Sequence, residues 1–146
     1  MNRIHRTNHK KLTFENSSQK LKTIKPNGLW YEIDNSWIKW CDSEMPEWSS
    51  QYQIKYRIEL NENKILFLTD ETIQDFHNHY GRNSYMYFID WLAVARDYAG
   101  IEITNYNLNL KYGLLSSYYD YWDCASGCIW HKDGLKLIEL IGGNNE

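Results

Sequence analysis

Alternation of apolar and polar residues predicts a strand over residues 52–60, where almost every second side chain is apolar. Residues 64–68 are almost wholly apolar, which is typical of a buried strand. Shorter runs of these two kinds predict further strands at residues 4–7, 12–14, 28–33, 101–103, 127–130 and 135–141. The polar residues 15–27 predict a loop that either is disordered or closes over a site.

Apolar residues spaced three and four positions apart predict up to three helices between these strands. The first covers residues 36–41, and the second begins at a cap provided by Thr69 or Asp70 and ends at Gly81. The third covers residues 85–99. Short strands outnumber helices, and helices separate only some of them. This arrangement predicts an α+β fold with two or three helices rather than a doubly wound parallel sheet.

Length and charge limit the class of protein. The 146 residues fit one domain, 1–146, with enough chain to bury a core without disulfides. The net charge of −3 excludes a generic binder of polyanions. Residues 1–25 nevertheless hold seven basic residues against one acidic residue. This basic N-terminal segment either holds an anionic group such as a phosphate or forms a solvated arm.

Three cysteines, an odd number, accompany an N-terminus without the apolar segment of a secretory signal. No apolar run is long enough to span a membrane, so we expect a protein of the reducing cytoplasm. Cys41, Cys124, Cys128 and His131 together contain the ligand types of a zinc site. Their spacing lacks a second pair of closely spaced ligands, which favours buried and unreactive cysteines instead.

The stretch 122–130 places an acid, a hydroxyl and two thiols between two tryptophans. Polar groups in such an apolar frame are costly to bury unless they have partners. One interpretation is the floor of a ligand site with Asp123 as its key residue. The other is a turn in which Asp123 and Ser126 act as caps.

Four segments, taken in chain order, resemble those of the ADP-ribosyltransferase-like domains, most of all the compact phage and bacterial versions. They are the first strand at 4–7, residues 25–31 with the helix after them, the paired strands within 56–68, and 123–130 with the closing strand at 135–141. The resemblance covers nearly the whole chain and implies a small split β-sheet fold. In a phage-encoded protein of this kind the place of action would be the host cytoplasm.

The resemblance implies an NAD-dependent mono-ADP-ribosyltransferase acting on a protein or nucleic-acid target. Asp123 would be the catalytic acid residue, in place of the family's usual Glu, with Glu102 as the alternative acid. Arg6 and Thr7 would contact a phosphate or a ribose of NAD, and Ser126 a ribose hydroxyl. The nicotinamide would lie against the second strand, at Gly28, Leu29, Trp30 and Tyr31. The Ser-Thr-Ser motif of the family is absent from that strand.

Two other functions fit the same sequence. Seven tryptophans and twelve tyrosines suit an inhibitor or immunity-type binding protein whose aromatic surface contacts a partner. A nucleic-acid binder would use the basic N-terminal segment and would lose affinity steeply with salt. The acidic remainder of the chain argues against this third function.

Overall fold

The computed structural model describes residues 1–49, 52–85, 87–110 and 118–142, and these residues contain nine strands and five α-helices. The strands are β1 (Arg3–Thr7), β2 (Leu29–Ile33), β3 (Ile54–Leu60), β4 (Ile65–Phe67), β5 (Gly81–Asn83), β6 (Tyr87–Ile89), β7 (Gly100–Ile103), β8 (Ser126–Ile129) and β9 (Leu135–Gly142). The helices are α1 (Ser36–Glu44), α2 (Pro46–Ser49), α3 (Ile73–Tyr80), α4 (Trp91–Asp97) and α5 (Tyr118–Trp122). The α+β prediction is confirmed.

Seven strands form one sheet in the order β4-β7-β8-β2-β1-β3-β9, and β5 pairs with β6 in a separate hairpin. Only the β4–β7 pair in the main sheet is parallel; the other neighbours are antiparallel. The ladder between β1 and β2 has just two residue pairs, Arg3 with Ile33 and Ile4 with Glu32. Strands β1 and β2 are therefore not paired beyond Ile4. This gap between neighbouring strands is the feature of the sheet that most resembles the split β-sheet expected from the sequence.

The two faces of the sheet carry different cores, because successive residues of a strand point to opposite faces. Cys128 joins a large aromatic cluster with side chains of α3, α4 and α5, whereas its neighbour Ile129 joins a smaller cluster with Tyr31 and Ile58. The first cluster covers one face of β7 and β8 with helices. The second fills the opposite face toward β3.

Most predicted elements are present, and the exceptions have local causes. The predicted strand at 12–14 is absent, and residues 85–99 are not one helix. Tyr87–Ile89 forms β6 instead, and α4 begins only at Trp91 because the Asp90 carboxylate accepts a hydrogen bond from the Ala93 N–H at 3.1 Å. Five helices rather than two or three are present because α2 and α5, of four and five residues, are too short to show a periodic pattern.

Candidate functional site

A cleft of about 240 Å³ lies where residues of β1, β2, α1 and the turn after α5 come together. Five residues predicted for the site line it: Arg6, Trp30, Tyr31, Asp123 and Ser126. The remaining lining residues are Ile4, His5, Lys25, Glu32, Trp37, Tyr52, Trp122 and Cys124. The cleft thus combines three tryptophan or tyrosine side chains beyond the predicted ones with charged groups of both signs.

Three residues predicted to bind the cofactor lie outside this cleft. Thr7 is buried, and its hydroxyl accepts a hydrogen bond from the His9 N–H at 3.1 Å. Leu29 packs in the smaller core cluster. A Cβ atom at Gly28 would collide with the Ile129 carbonyl of β8, so this glycine permits close strand packing. These three residues support the sheet and do not line the cleft.

Arg6 reaches the cleft, but much of its guanidinium is already bound within the protein. Its Nε donates to Glu32, and its Nη2 donates to the Asn35 side-chain oxygen at 3.1 Å. The second oxygen of Glu32 accepts hydrogen bonds from the Trp37 and Ile38 N–H groups at 2.9 and 3.1 Å, at the start of α1. A carboxylate at this position satisfies free N–H groups of the helix. Arg6 therefore holds strand β1 to α1.

Trp30 forms one wall of the cleft, and its ring already has two neighbours. The Lys25 Nζ lies 4.9 Å from the ring centroid, within cation–π range. The ring of Trp122 meets it edge-on, with centroids 4.7 Å apart. On another wall, Trp37 and Tyr52 form a second edge-to-face pair at 5.4 Å. These pairs give the cleft rigid aromatic walls.

Asp123 lies between α5 and β8 with a backbone φ of 70°, in the left-handed region. Aspartate tolerates this conformation better than most non-glycine residues. The Cys124 N–H donates to the Trp122 carbonyl at 2.8 Å, and the Ser126 hydroxyl donates to the Cys124 carbonyl at 2.9 Å. The segment is thus a turn held by its own hydrogen bonds, and Asp123 is its half-buried member on the cleft.

The thiol of Cys124 is not an activated nucleophile. Burial raises its pKa to about 11, so the thiol stays protonated near neutral pH. Cys41 and Cys128 are buried free thiols as well. Among the residues that the structure describes, no group of three or more His, Cys, Asp or Glu side chains is arranged to hold a metal ion.

Glu102, the alternative acid, lies outside the cleft and is fully buried in β7. Arg3 donates to its two oxygens through Nε at 2.6 Å and Nη2 at 3.2 Å, and the Tyr31 hydroxyl donates to it at 2.8 Å. A side chain at Gly127 would collide with the Tyr31 ring, so this glycine lets Tyr31 cross over β8 to β7. The surroundings of Glu102 are those of a structural ion pair.

His5 lines the cleft and was not among the predicted site residues. Its Nδ1 lies 2.6 Å from the Trp30 carbonyl oxygen, which can only accept, so Nδ1 carries the proton. Burial lowers the pKa of His5, which favours the neutral ring. In the described part of the chain its Nε2 has no hydrogen-bond donor and is an available acceptor. The sequence signal was the position of His5 in the first strand, beside Arg6.

No protein-family model matches the sequence, and no curated protein or solved structure matches it either. The helices within the described ranges are all too short or too polar to cross a membrane. The functional conclusion therefore depends on the geometry of the cleft.

Proposed function

We propose that this protein is an NAD-dependent mono-ADP-ribosyltransferase that binds NAD in the cleft and uses Asp123 as its catalytic carboxylate. Its target would be a protein or a nucleic acid. The observation that supports this most is the convergence of three segments distant in sequence. Arg6 of β1, Trp30 of β2 and Asp123 after α5 line the same cleft. The resemblance in the sequence requires this convergence, and local secondary structure alone does not impose it.

The reaction breaks the bond between nicotinamide and ribose C1′, and the bonding electrons leave with the nicotinamide. The ribose carbon acquires positive charge in an oxocarbenium-like transition state. The carboxylate of Asp123 favours that charge, most effectively where aromatic walls exclude water. The acceptor then attacks C1′ and loses a proton as the new bond forms. The unprotonated Nε2 of His5 can accept a hydrogen bond from a ribose hydroxyl and orient the sugar.

The decisive variant is Asp123→Asn, because asparagine also tolerates a φ of 70° and keeps the size of the side chain. We expect nicotinamide release from NAD to fall by about a hundredfold or more, a much larger change than the loss of NAD affinity caused by removing a carboxylate that attracts the cationic nicotinamide ring. The matched control is Asp133→Asn, which removes an exposed carboxylate that does not line the cleft. Equal turnover in the wild type and Asp123→Asn would refute the catalytic role.

A non-catalytic binding protein is the second candidate, and exposed aromatic rings favour it. Trp48 of α2 is 39% exposed, and its ring lies 6.2 Å from that of Trp40 in α1. Paired tryptophans on a surface make strong partner contacts. This function predicts that Trp40→Ala abolishes capture of the partner, whereas Asp123→Asn does not affect it. Turnover of NAD that depends on Asp123 would exclude this candidate.

A further inference from the structure

We propose that Lys25, held in position by Gln19, binds the phosphate of the ligand in the cleft. The family resemblance described above implies that Arg6 makes that contact instead. This inference rests on the proposed function insofar as the ligand is a nucleotide, and it concerns a different residue and a different part of the ligand from the catalytic proposal.

Among the charged residues that line the cleft, Lys25 is the cation best placed to bind a ligand. The charged lining residues are Arg6, Lys25, Glu32 and Asp123. Arg6 and Glu32 form an ion pair with each other, and their side chains are 10% and 2% exposed. Lys25 forms no ion pair with any residue of the described ranges, and its Nζ lies over the Trp30 ring. An ammonium held against an indole keeps N–H donors for an anion.

The loop that carries Lys25 is closed at its base by one side chain. The Gln19 amide nitrogen donates to the Asn27 carbonyl at 2.7 Å, and the Asn27 N–H donates to the Gln19 amide oxygen at 2.8 Å. Gln19 is only 8% exposed. The Gln19 side-chain amide thus both donates to and accepts from the backbone of Asn27, and these two hydrogen bonds hold the ends of the loop 19–27 together. The loop is therefore ordered before a ligand arrives, which reduces the entropy lost on binding.

The loop closed by Gln19 also has the charge of an anion-binding element. Residues 19–27 contain three lysines and no acidic residue. Two residues before this loop, the Ser17 N–H donates to the Trp130 carbonyl at 2.8 Å and so attaches the chain next to β8. Of the three lysines, only Lys25 lines the cleft. Lys22 instead lies 5.6 Å from the ring centroid of Phe88.

The cleft charges also set the orientation of a dinucleotide. Asp123 repels phosphates and attracts a cationic ring, whereas Lys25 attracts phosphates. The nicotinamide ring of NAD is cationic, so it lies toward Asp123 and the pyrophosphate lies toward Lys25. A nucleotide also packs its planar base or its sugar against the aromatic walls of the cleft. A free phosphate ion makes no such contact.

The test is a calorimetric titration of the full chain with ADP and with adenosine at low and moderate salt. We expect Lys25→Gln to weaken ADP binding by about tenfold or more and to flatten its dependence on salt. Adenosine lacks phosphates, so its affinity should not change. The matched control is Lys22→Gln, a lysine of the same loop outside the cleft, which should bind ADP as the wild type does.

Gln19→Glu tests the positioning role, because a glutamate removes the N–H donor that binds the Asn27 carbonyl. This variant should weaken ADP binding, and adding Lys25→Gln to it should cost less than twofold more. A full tenfold additional loss in the double variant would show that Gln19 does not act through Lys25.

The outcomes separate this inference from the proposed function. If ADP binding depends on Lys25 but nicotinamide is never released from NAD, the phosphate site stands and the transferase proposal falls. If NAD is turned over but Lys25→Gln binds ADP as the wild type does, the phosphate site falls alone. If the wild type binds neither ADP nor NAD, both are overturned.

Discussion

Two carboxylates of this chain, Glu102 and Asp123, are both candidate acids in the sequence, but their surroundings in the fold are opposite. Glu102 is fully buried and accepts hydrogen bonds from Arg3 and Tyr31. Asp123 is half-buried on a turn and lines the cleft. A buried acid with this many partners is part of the structure, whereas an acid at a cleft can meet a ligand. The residue type alone does not distinguish them.

The two arginines of strand β1, Arg3 and Arg6, also differ in their position relative to the cleft. Arg3 reaches Glu102 on one face of the sheet, and Arg6 reaches Glu32 on the other face, beside the cleft. Both ion pairs tie β1 to distant parts of the chain. Because Arg6 is occupied in this way, Lys25 is left as the cation of the cleft. Ion pairing thus decides which positive charge remains for a ligand.

The largest effect that sharpens this comparison is expected for Glu102→Gln. The amide cannot neutralise Arg3, whose side chain is only 15% exposed, and we expect a loss of about 3–5 kcal/mol in the free energy of unfolding. Urea unfolding measures it. The control is Glu139→Gln, because the side chains of Glu139 and its partner Arg57 are 49% and 37% exposed and their contact should contribute little. If Glu102→Gln lost little free energy of unfolding, Glu102 would not be the structural acid that the comparison with Asp123 requires.

The next effect concerns the glycine beneath Tyr31. Gly127→Ala should displace the Tyr31 ring and weaken its hydrogen bond to Glu102, lowering the free energy of unfolding by about 1–3 kcal/mol. The double variant with Tyr31→Phe should lose less than the sum of the two single variants, since both disturb the same contact. Simple additivity in urea unfolding would mean that the two residues act independently.

A smaller effect is expected from pH, through His5 at the cleft. Burial holds its pKa below the ordinary 6.5, so the folded chain stays neutral there while the unfolded chain takes up the proton. Stability should therefore fall as pH drops below about 6.5, since the unfolded state then binds more protons. In the folded chain, protonation converts Nε2 from an acceptor into a donor only when the pH falls through this lowered pKa, so NAD binding should weaken at a lower pH than the one at which stability begins to fall.

The variant His5→Gln checks this assignment, because it cannot titrate and still offers an N–H to the Trp30 carbonyl. Its pH profiles for unfolding and for NAD binding should be flatter than those of the wild type. His77 is a matched comparison in the helix-covered core, where burial also lowers the pKa and Nε2 lies 2.8 Å from the Tyr118 hydroxyl. His77→Gln should flatten the unfolding profile without changing the binding profile.

The smallest effect on stability is expected at Asp123. Asp123→Asn should change the free energy of unfolding by no more than about 0.5 kcal/mol, while Asp123→Ala should lose about 1 kcal/mol from its left-handed backbone. Thermal unfolding of both variants provides the measurement. A loss from Asp123→Asn as large as that from Glu102→Gln would mean that Asp123 is a structural residue too.

Local pattern was enough for much of the fold. The face of α3 formed by Ile73, Phe76, His77 and Tyr80 is buried as its spacing predicts. The strand over residues 54–60 likewise follows from alternation. The helix predicted at 85–99 was wrong at its start because the Asp90 cap outweighed the apolar periodicity of the residues before it.

The site was predictable only in part, because its assignments depend on contacts between residues far apart in sequence. Arg3 and Glu102 are 99 positions apart, and no pattern in the chain pairs them. The partner of Arg6 is 26 positions away, so its occupied guanidinium was not visible. Lys25 lies in a loop without periodicity. The sequence brought Arg6, Trp30 and Asp123 together through resemblance alone.

The most direct test of the central claim is a crystal structure of the full chain with NAD or ADP-ribose bound. The account predicts the nucleotide in the cleft between Trp30 and Trp37, with its reacting ribose beside Asp123 and its pyrophosphate beside Lys25. A nucleotide bound elsewhere, or in the cleft with its phosphates against Asp123, would contradict the account.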